Sequence, residues 1–349
     1  MSILVTGGAG FVGTALCTAL LERGERVVVI DDLSRVGSTN RLEILRELGG
    51  DRLRAHLVDI SEHQAVEEVV RETGPYTGVV HLAAQVAVTW AMDDPRRDFM
   101  VNAAGSFHVI DAVRRHSPSA RCIYMASNKV YGELEDLEIV PSEDGKRLVL
   151  AGLPNGVGSD RPLDPVTPYG VSKAAGGAYF RDAARTYGME TVVLRASCIY
   201  GPKQSQQEDQ GWVAWFAKAV SEGLPLRIFG DGNTTRDMLY VGDLVDLLQR
   251  ILDGARPRRG LTMNVGGGAA TARSLLEVVG LLQDLTGRTA DVSFHPERPS
   301  DQKSFITDTS LAETLYGWRP TTRPEDGLLA LLGRLSPEGP VPESNTTRG

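Results

Sequence analysis

Cysteine is scarce in this 349-residue chain, at three residues. Cys17, Cys122 and Cys198 are odd in number and far apart, with no pair at redox or metal-ligand spacing. A disulfide framework and a cysteine zinc site are therefore excluded, and a reducing cytoplasm is the expected compartment. The six histidines form no His-x-x-x-His pair, so no metal is expected. No apolar run reaches the ~18 residues of a membrane span. Met1-Ser2 leads directly into Ile3-Leu4-Val5-Thr6 without a basic leader, so no signal segment is expected. Positive charge is also short: 37 Lys and Arg against 45 Asp and Glu give a net charge of -8. That balance argues against nucleic acid as a partner, since such binding depends on neutralising phosphates with a basic surface, but it permits a local anion site.

What is present is an ordinary globular composition, 42% hydrophobic and 23% charged, which argues against disorder. At roughly 150 residues per domain the length suits about two domains. Ile3 to Thr6, Arg26 to Ile30, Arg54 to Val58, Gly78 to Leu82, Arg121 to Met125 and Thr191 to Arg195 read as short buried strands. Gly10 to Arg23, Glu62 to Thr73, Arg96 to His116 and Tyr169 to Tyr187 read as helices between them. Alternating strands and helices predict an α/β fold, a doubly wound (Rossmann) parallel sheet with both faces covered. Further helices are expected at Trp212 to Glu222, Val241 to Asp253 and Ala270 to Thr286. The expected division is a dinucleotide-binding domain at 1–175, a smaller mixed α/β substrate lobe at 176–335 interleaved with the sheet, and a flexible tail at 336–349.

Gly7-Gly8-Ala9-Gly10-Phe11-Val12-Gly13 follows the first strand and opens the first helix. Glycines at 7, 10 and 13 allow a tight turn, close approach of backbone amides to a pyrophosphate, and close helix packing. Asp31, followed by Asp32, ends the second strand, where a carboxylate can bond ribose hydroxyls. An acid there repels a 2'-phosphate, so NAD is expected over NADP, with nearby Arg35 arguing the other way. Asp59-Ile60 would border the adenine, and Leu82-Ala83-Ala84 would form a small-residue wall. His81 reads as an interior histidine rather than a catalyst.

Tyr169-Gly170-Val171-Ser172-Lys173 opens a predicted helix, and the i, i+4 spacing sets phenol and ammonium on one face. A nearby ammonium favours the phenolate, bringing a pKa of about 10 towards the working range. Alone the spacing means little. The chain adds Met125-Ala126-Ser127-Asn128-Lys129-Val130-Tyr131-Gly132 at the end of the fifth strand, where Ser127 can bond the hydroxyl that Tyr169 deprotonates.

With glycine loop, serine, tyrosine and lysine in this order, the chain resembles the extended short-chain dehydrogenase/reductase family of nucleotide-sugar epimerases and dehydratases, from about Ile3 to Pro320. The resemblance implies that Tyr169 is base and then acid, that Lys173 lowers its pKa and holds the nicotinamide ribose, and that Ser127 positions the sugar. Asn102 matches the family's asparagine behind the site, or is a helix-packing amide. Arg236 and Arg298 fall where the family places two diphosphate-binding arginines; surface arginines paired with Asp237 or Asp301 are the other reading. Relatives are often homodimers through two helices, which the apolar faces of Arg96 to His116 and Tyr169 to Tyr187 permit.

Members that dehydrate carbons 4 and 6 place Asp-Glu after the serine-type residue, whereas this chain has Asn128-Lys129, which disfavours that reaction. Lys129 is expected either at the sugar, at the insertion, or in solvent. Ser127 to Gly132, the insertion Glu133 to Thr167, and Asp209-Gln210-Gly211-Trp212-Val213 resemble the branch of CDP-paratose (CDP-tyvelose) 2-epimerases. The implied activity is epimerisation of a nucleotide-diphosphate sugar by transient oxidation, with carbon 2 as the centre. A 4-epimerase or reductase, or a non-catalytic NAD-binding protein, are the alternatives. Trp212 and Trp215 would line the pocket or, with Phe216, form core.

Overall fold

A computed structural model describes residues 2–206, 208, 211–254, 260–298 and 300–333. The expected tail at 336–349, and Asp209 and Gln210 of the third segment above, lie outside these residues. Val-, Ile- and Leu-rich runs bury both faces, as a parallel sheet covered by helices requires. β1 (Ser2–Thr6), β2 (Val27–Asp31), β3 (Leu53–Leu57), β4 (Tyr76–His81) and β5 (Arg121–Ser127) are its first five strands. A small antiparallel hairpin follows, β6 (Ile139–Pro141) and β7 (Leu148–Leu150), then β8 (Glu190–Ala196) and β9 (Cys198–Tyr200). The later strands are β10 (Pro225–Phe229), β11 (Thr235–Tyr240), β12 (Leu261–Val265), β13 (Ala272–Ser274), β14 (Asp291–His295) and β15 (Ser304–Phe305).

The central sheet has seven strands in the order β12-β8-β5-β4-β1-β2-β3, and all its pairings are parallel. Strand order reverses beside β1 and β4, which opens a crevice at their carboxyl ends, where doubly wound folds bind ligands. Helices α1 (Phe11–Glu22), α2 (Ser38–Gly49), α3 (His63–Thr73), α4 (Val88–Asp93), α5 (Pro95–Asp98), α6 (Ser106–His116) and α7 (Pro168–Tyr187) belong to this half. One core cluster packs β1 and β2 against α1 and α9 (Val241–Asp253), and the other packs β4 and β5 against α3, α6 and α7.

The expected continuous helix from Arg96 to His116 is instead three segments, α5, a π-helical turn at Phe99–Gly105, and α6. The expected helix from Ala270 begins only at Leu275, where Ser274 and Glu277 form a reciprocal cap. β9, β13 and β15 pair with β11, and β10 pairs with β14, forming small sheets beside α8 (Trp212–Glu222) and α10 (Leu275–Thr286). Trp212 stacks edge-on to Phe216 at 5.2 Å, and both tryptophans pack on the core of this part. The insertion after Gly132 joins the two parts: Arg147 donates to Ala272 O at 2.7 Å, and Val157 N donates to Ile306 O at 2.7 Å.

Candidate active site at the carboxyl edge of the sheet

The glycine loop sits between the ends of β1, β2 and β4. A Cβ added to Gly7, whose φ is +70°, would stand 2.6 Å from Ala83 N, and one on Gly13 would stand 2.0 Å from Gly7 O. Only glycine allows this closeness, so the loop packs directly on the Leu82-Ala83 end of the fourth strand. Gly10 caps α1 without a side-chain bond, which leaves the amides around Phe11 and Val12 as an anion cradle. Asp31, 8% exposed, accepts from Ala9 N and Leu33 N, both at 2.9 Å. Burial raises its pKa, and the two backbone donors oppose this.

Asp32 and Asp59 lie at the same edge, both facing Arg97, at 3.8 and 2.7 Å. Ile60, in contrast, is 4% exposed and packs into the core against Gly105. Asn102 is buried behind the site: its Nδ2 donates to Gln85 O and Asp98 Oδ1, both at 2.9 Å, and its Oδ1 accepts from Gln85 N at 2.9 Å. Its amide is thus fully engaged within the fold. His81 is likewise enclosed, with Thr6 on Nδ1 at 2.5 Å and Ser106 on Nε2 at 3.0 Å. Burial, then the charge of Lys173, lowers its pKa to about 3, so it stays neutral.

α7 begins where the sequence dictates. Thr167 accepts from Gly170 N at 3.1 Å, and Pro168 occupies the first turn. A Cβ on Gly176 would stand 2.3 Å from the Tyr124 hydroxyl, so this glycine lets α7 lie directly on β5. Tyr169 and Ser127 consequently lie close together at this edge. Burial raises the Tyr169 pKa; the nearby Ser127 hydroxyl lowers it, the Asp98 charge raises it, and Arg35 lowers it. Lys173, one turn further on, holds its Nζ 4.8 Å above the Tyr124 ring. Burial brings its pKa down to about 7, opposed by Asp98.

Asp98 was not foreseen from the sequence. It is wholly buried and accepts from Ser172 Oγ at 2.5 Å as well as from Asn102. Its only local signal is a carboxylate one turn before Asn102.

Lys129 is not in free solvent. Its Nζ donates to Asp301 Oδ1 at 3.0 Å and Ser300 O at 3.2 Å, while Arg236 Nη2 donates to the same Asp301 oxygen at 2.7 Å. Burial raises the Asp301 pKa, yet the two cations overcome it and hold the carboxyl at about 2. Asn128 Nδ2 donates to Gln302 at 2.9 Å, and Arg298 stacks its guanidinium 3.9 Å over Phe229. Asn264 is 1% exposed and bonds Tyr131 and Val157. Among the described residues no group of three or more His, Cys, Asp or Glu could hold a metal.

Residues 3–266 match the NAD dependent epimerase/dehydratase family. The chain belongs to that family. It is 36% identical over 333 residues to the CDP-paratose 2-epimerase of Salmonella typhi, covering 94% of this chain and 97% of that one. It is 30% identical over 328 residues to the UDP-glucose 4-epimerase of Mycolicibacterium smegmatis, covering 94% and 96%. The solved UDP-glucose 4-epimerase of Thermus thermophilus, in complex with NAD, superposes with a TM-score of 0.79 at 30% identity, covering 96% of this chain and 98% of that one. The protein is therefore an enzyme of the nucleotide-sugar epimerase/dehydratase family with NAD as its cofactor, and its glycine loop at the amino end of α1 suits the pyrophosphate of that dinucleotide. Among the described residues, no helix is long and apolar enough to cross a membrane.

Proposed function

We propose that this enzyme epimerises a nucleotide-diphosphate sugar, at carbon 2 of a CDP-hexose, by transient oxidation and re-reduction. The observation that carries the reading is that the ends of β5 and α7 bring Ser127 and buried Tyr169 and Lys173 to the sheet edge that also holds the close-packed glycine loop. Gly7 to Gly13, Asp31, Asp32, Asp59, Leu82 to Ala84, Tyr169 and Lys173 are proposed to hold the dinucleotide. NAD supplies a hydride acceptor that returns what it takes, so no net redox results.

The chain's own residues manage the proton. Ser127 bonds the reacting sugar hydroxyl and fixes its direction, and Tyr169 removes its proton. Lys173, one turn on from Tyr169, would supply positive charge that favours the phenolate of a tyrosine whose pKa burial raises. After the planar keto sugar turns, Tyr169 gives the proton back to the carbonyl oxygen as hydride returns to the opposite face. Lys129, tied to Asp301, has no proton-donating carboxyl to offer a leaving hydroxyl, which disfavours dehydration.

Two cations share one carboxylate at Arg236, Lys129 and Asp301. The cluster keeps a positive surplus that a diphosphate would complete, with Arg298 on the same segment. The CDP and carbon-2 assignments rest on the likeness to the Salmonella enzyme and on the segment from Ser127 to Gly132. The Mycolicibacterium relative supports a 4-epimerase as the second reading. We also propose a homodimer, and a cytoplasmic setting in keeping with the three free thiols.

Tyr169→Phe is the direct test. Turnover of a panel of CDP-, UDP- and dTDP-hexoses is expected to fall about 10²- to 10⁴-fold, the usual worth of a general base, with NAD affinity within about twofold. Retained turnover would remove Tyr169 from the proposed role.

A further inference from the structure

Gln302 is fully buried, yet all its side-chain bonds reach the loop that follows Ser127. Its Nε2 donates to Gly132 O at 2.6 Å and to Asn128 O at 3.3 Å, and its Oε1 accepts from Asn128 Nδ2 at 2.9 Å, across 174 positions of sequence. Asn128 Oδ1 in turn accepts from Ser127 Oγ at 3.3 Å. Next to it, Asp301 takes Lys129 Nζ, while Lys129 N donates to Ser127 Oγ at 3.2 Å. The catalytic serine thus sits on a four-residue turn, Asn128–Tyr131, whose two flanking carbonyls and whose ammonium are all held by residues 301 and 302.

We propose that Gln302 and Asp301 are positioning residues for Ser127, fixing its hydroxyl against Tyr169 from the segment that also carries the diphosphate-facing Arg298. The proposal rests on the reading of Ser127 as the residue that orients the sugar. Its physical basis is that buried carbonyls need partners: without the Gln302 amide, Gly132 O loses its partner and Asn128 O loses a bond beyond those of the turn, and the turn relaxes towards other donors. The second anchor is electrostatic. Asp301 holds Lys129 in place, and Arg236 on the same oxygen links this anchor to the cations proposed for the diphosphate. Geometric looseness at a reacting hydroxyl reduces rate more than binding.

Gln302→Leu puts a branched apolar side chain one bond shorter in the same place and removes the hydrogen bonds. Amide hydrogen exchange on the whole chain is expected to quicken about tenfold at residues 128–132 and to stay unchanged along α7. Turnover is read on whichever of CDP-, UDP- or dTDP-hexose the wild-type enzyme converts. There kcat is expected to fall about tenfold with KM within about twofold, and Ser127→Ala with Gln302→Leu is expected to be no slower than Ser127→Ala alone. Asp301→Asn, at a more accessible side chain, is the companion variant, with a fall of about threefold that also vanishes in the Ser127→Ala background. Unchanged exchange at 128–132, or losses that multiply in the double variants, would overturn the proposal. If Ser127→Ala itself left turnover intact, the proposed role of the serine would fail, and the exchange data would still report whether Gln302 holds the turn.

Discussion

Lys173 carries its ammonium into the driest part of the site, where burial favours losing the proton and Asp98 favours keeping it. The same Asp98 charge raises the pKa of Tyr169. Replacing it by asparagine keeps one acceptor oxygen, for Asn102 or for Ser172, and removes the anion from both titrations. The signs follow: without the anion the phenol loses its proton more easily, and so does the ammonium. Both titrations, and with them both limbs of the kcat profile, are expected to move to lower pH in Asp98→Asn. A pH–rate series checks this, and limbs that stay in place or move upward would contradict it. At this scale Ser127, Tyr169 and Lys173 were legible because each lies in a short local pattern. Asp98, Asp301 and Gln302 were not, because they act on partners that only the fold brings near.

Elements with strong periodicity read cleanly. Trp212–Glu222 and Val241–Asp253 begin and end where the apolar spacing and flanking glycines predict. Ser38–Gly49 went unseen because few of its residues are buried. The break of Arg96 to His116 was hidden as well, since the π-helical turn follows from burying Asn102 against Gln85 and Asp98 rather than from any helix-breaking residue. The outer side of α6, α7 and this turn leaves Phe99, Phe107, Val171 and Tyr179 exposed by 57%, 41%, 51% and 45%. Such a contiguous apolar surface on two neighbouring helices suits a self-complementary contact. Sedimentation at twice the chain mass is expected, with Phe107→Asp plus Tyr179→Asp reducing it to one chain mass. A wild-type protein that sediments as a monomer would refute the dimer.

At the scale of the whole molecule, the chain leaves the central sheet after β5 and again after β8, and each time returns to it. The alternation of strands and helices made the parallel sheet legible. The interleaving was harder to read, because β12 is a short strand placed beside β8 by long-range packing. Through these excursions the insertion and the small sheets reach the carboxyl edge, so Asp301, Gln302 and, through Asp301, Arg236 meet the loop after Ser127 from distant parts of the sequence. A site assembled from both parts of the chain suits a reaction in which an oxidised sugar must turn and be reduced again before it escapes. The most direct test is turnover of a nucleotide sugar carrying deuterium at the reacting carbon, followed by mass and configuration analysis of the product. The account predicts inverted product that keeps its deuterium, with no NADH accumulating in solution. Loss of the label to solvent, or steady build-up of NADH, would contradict it.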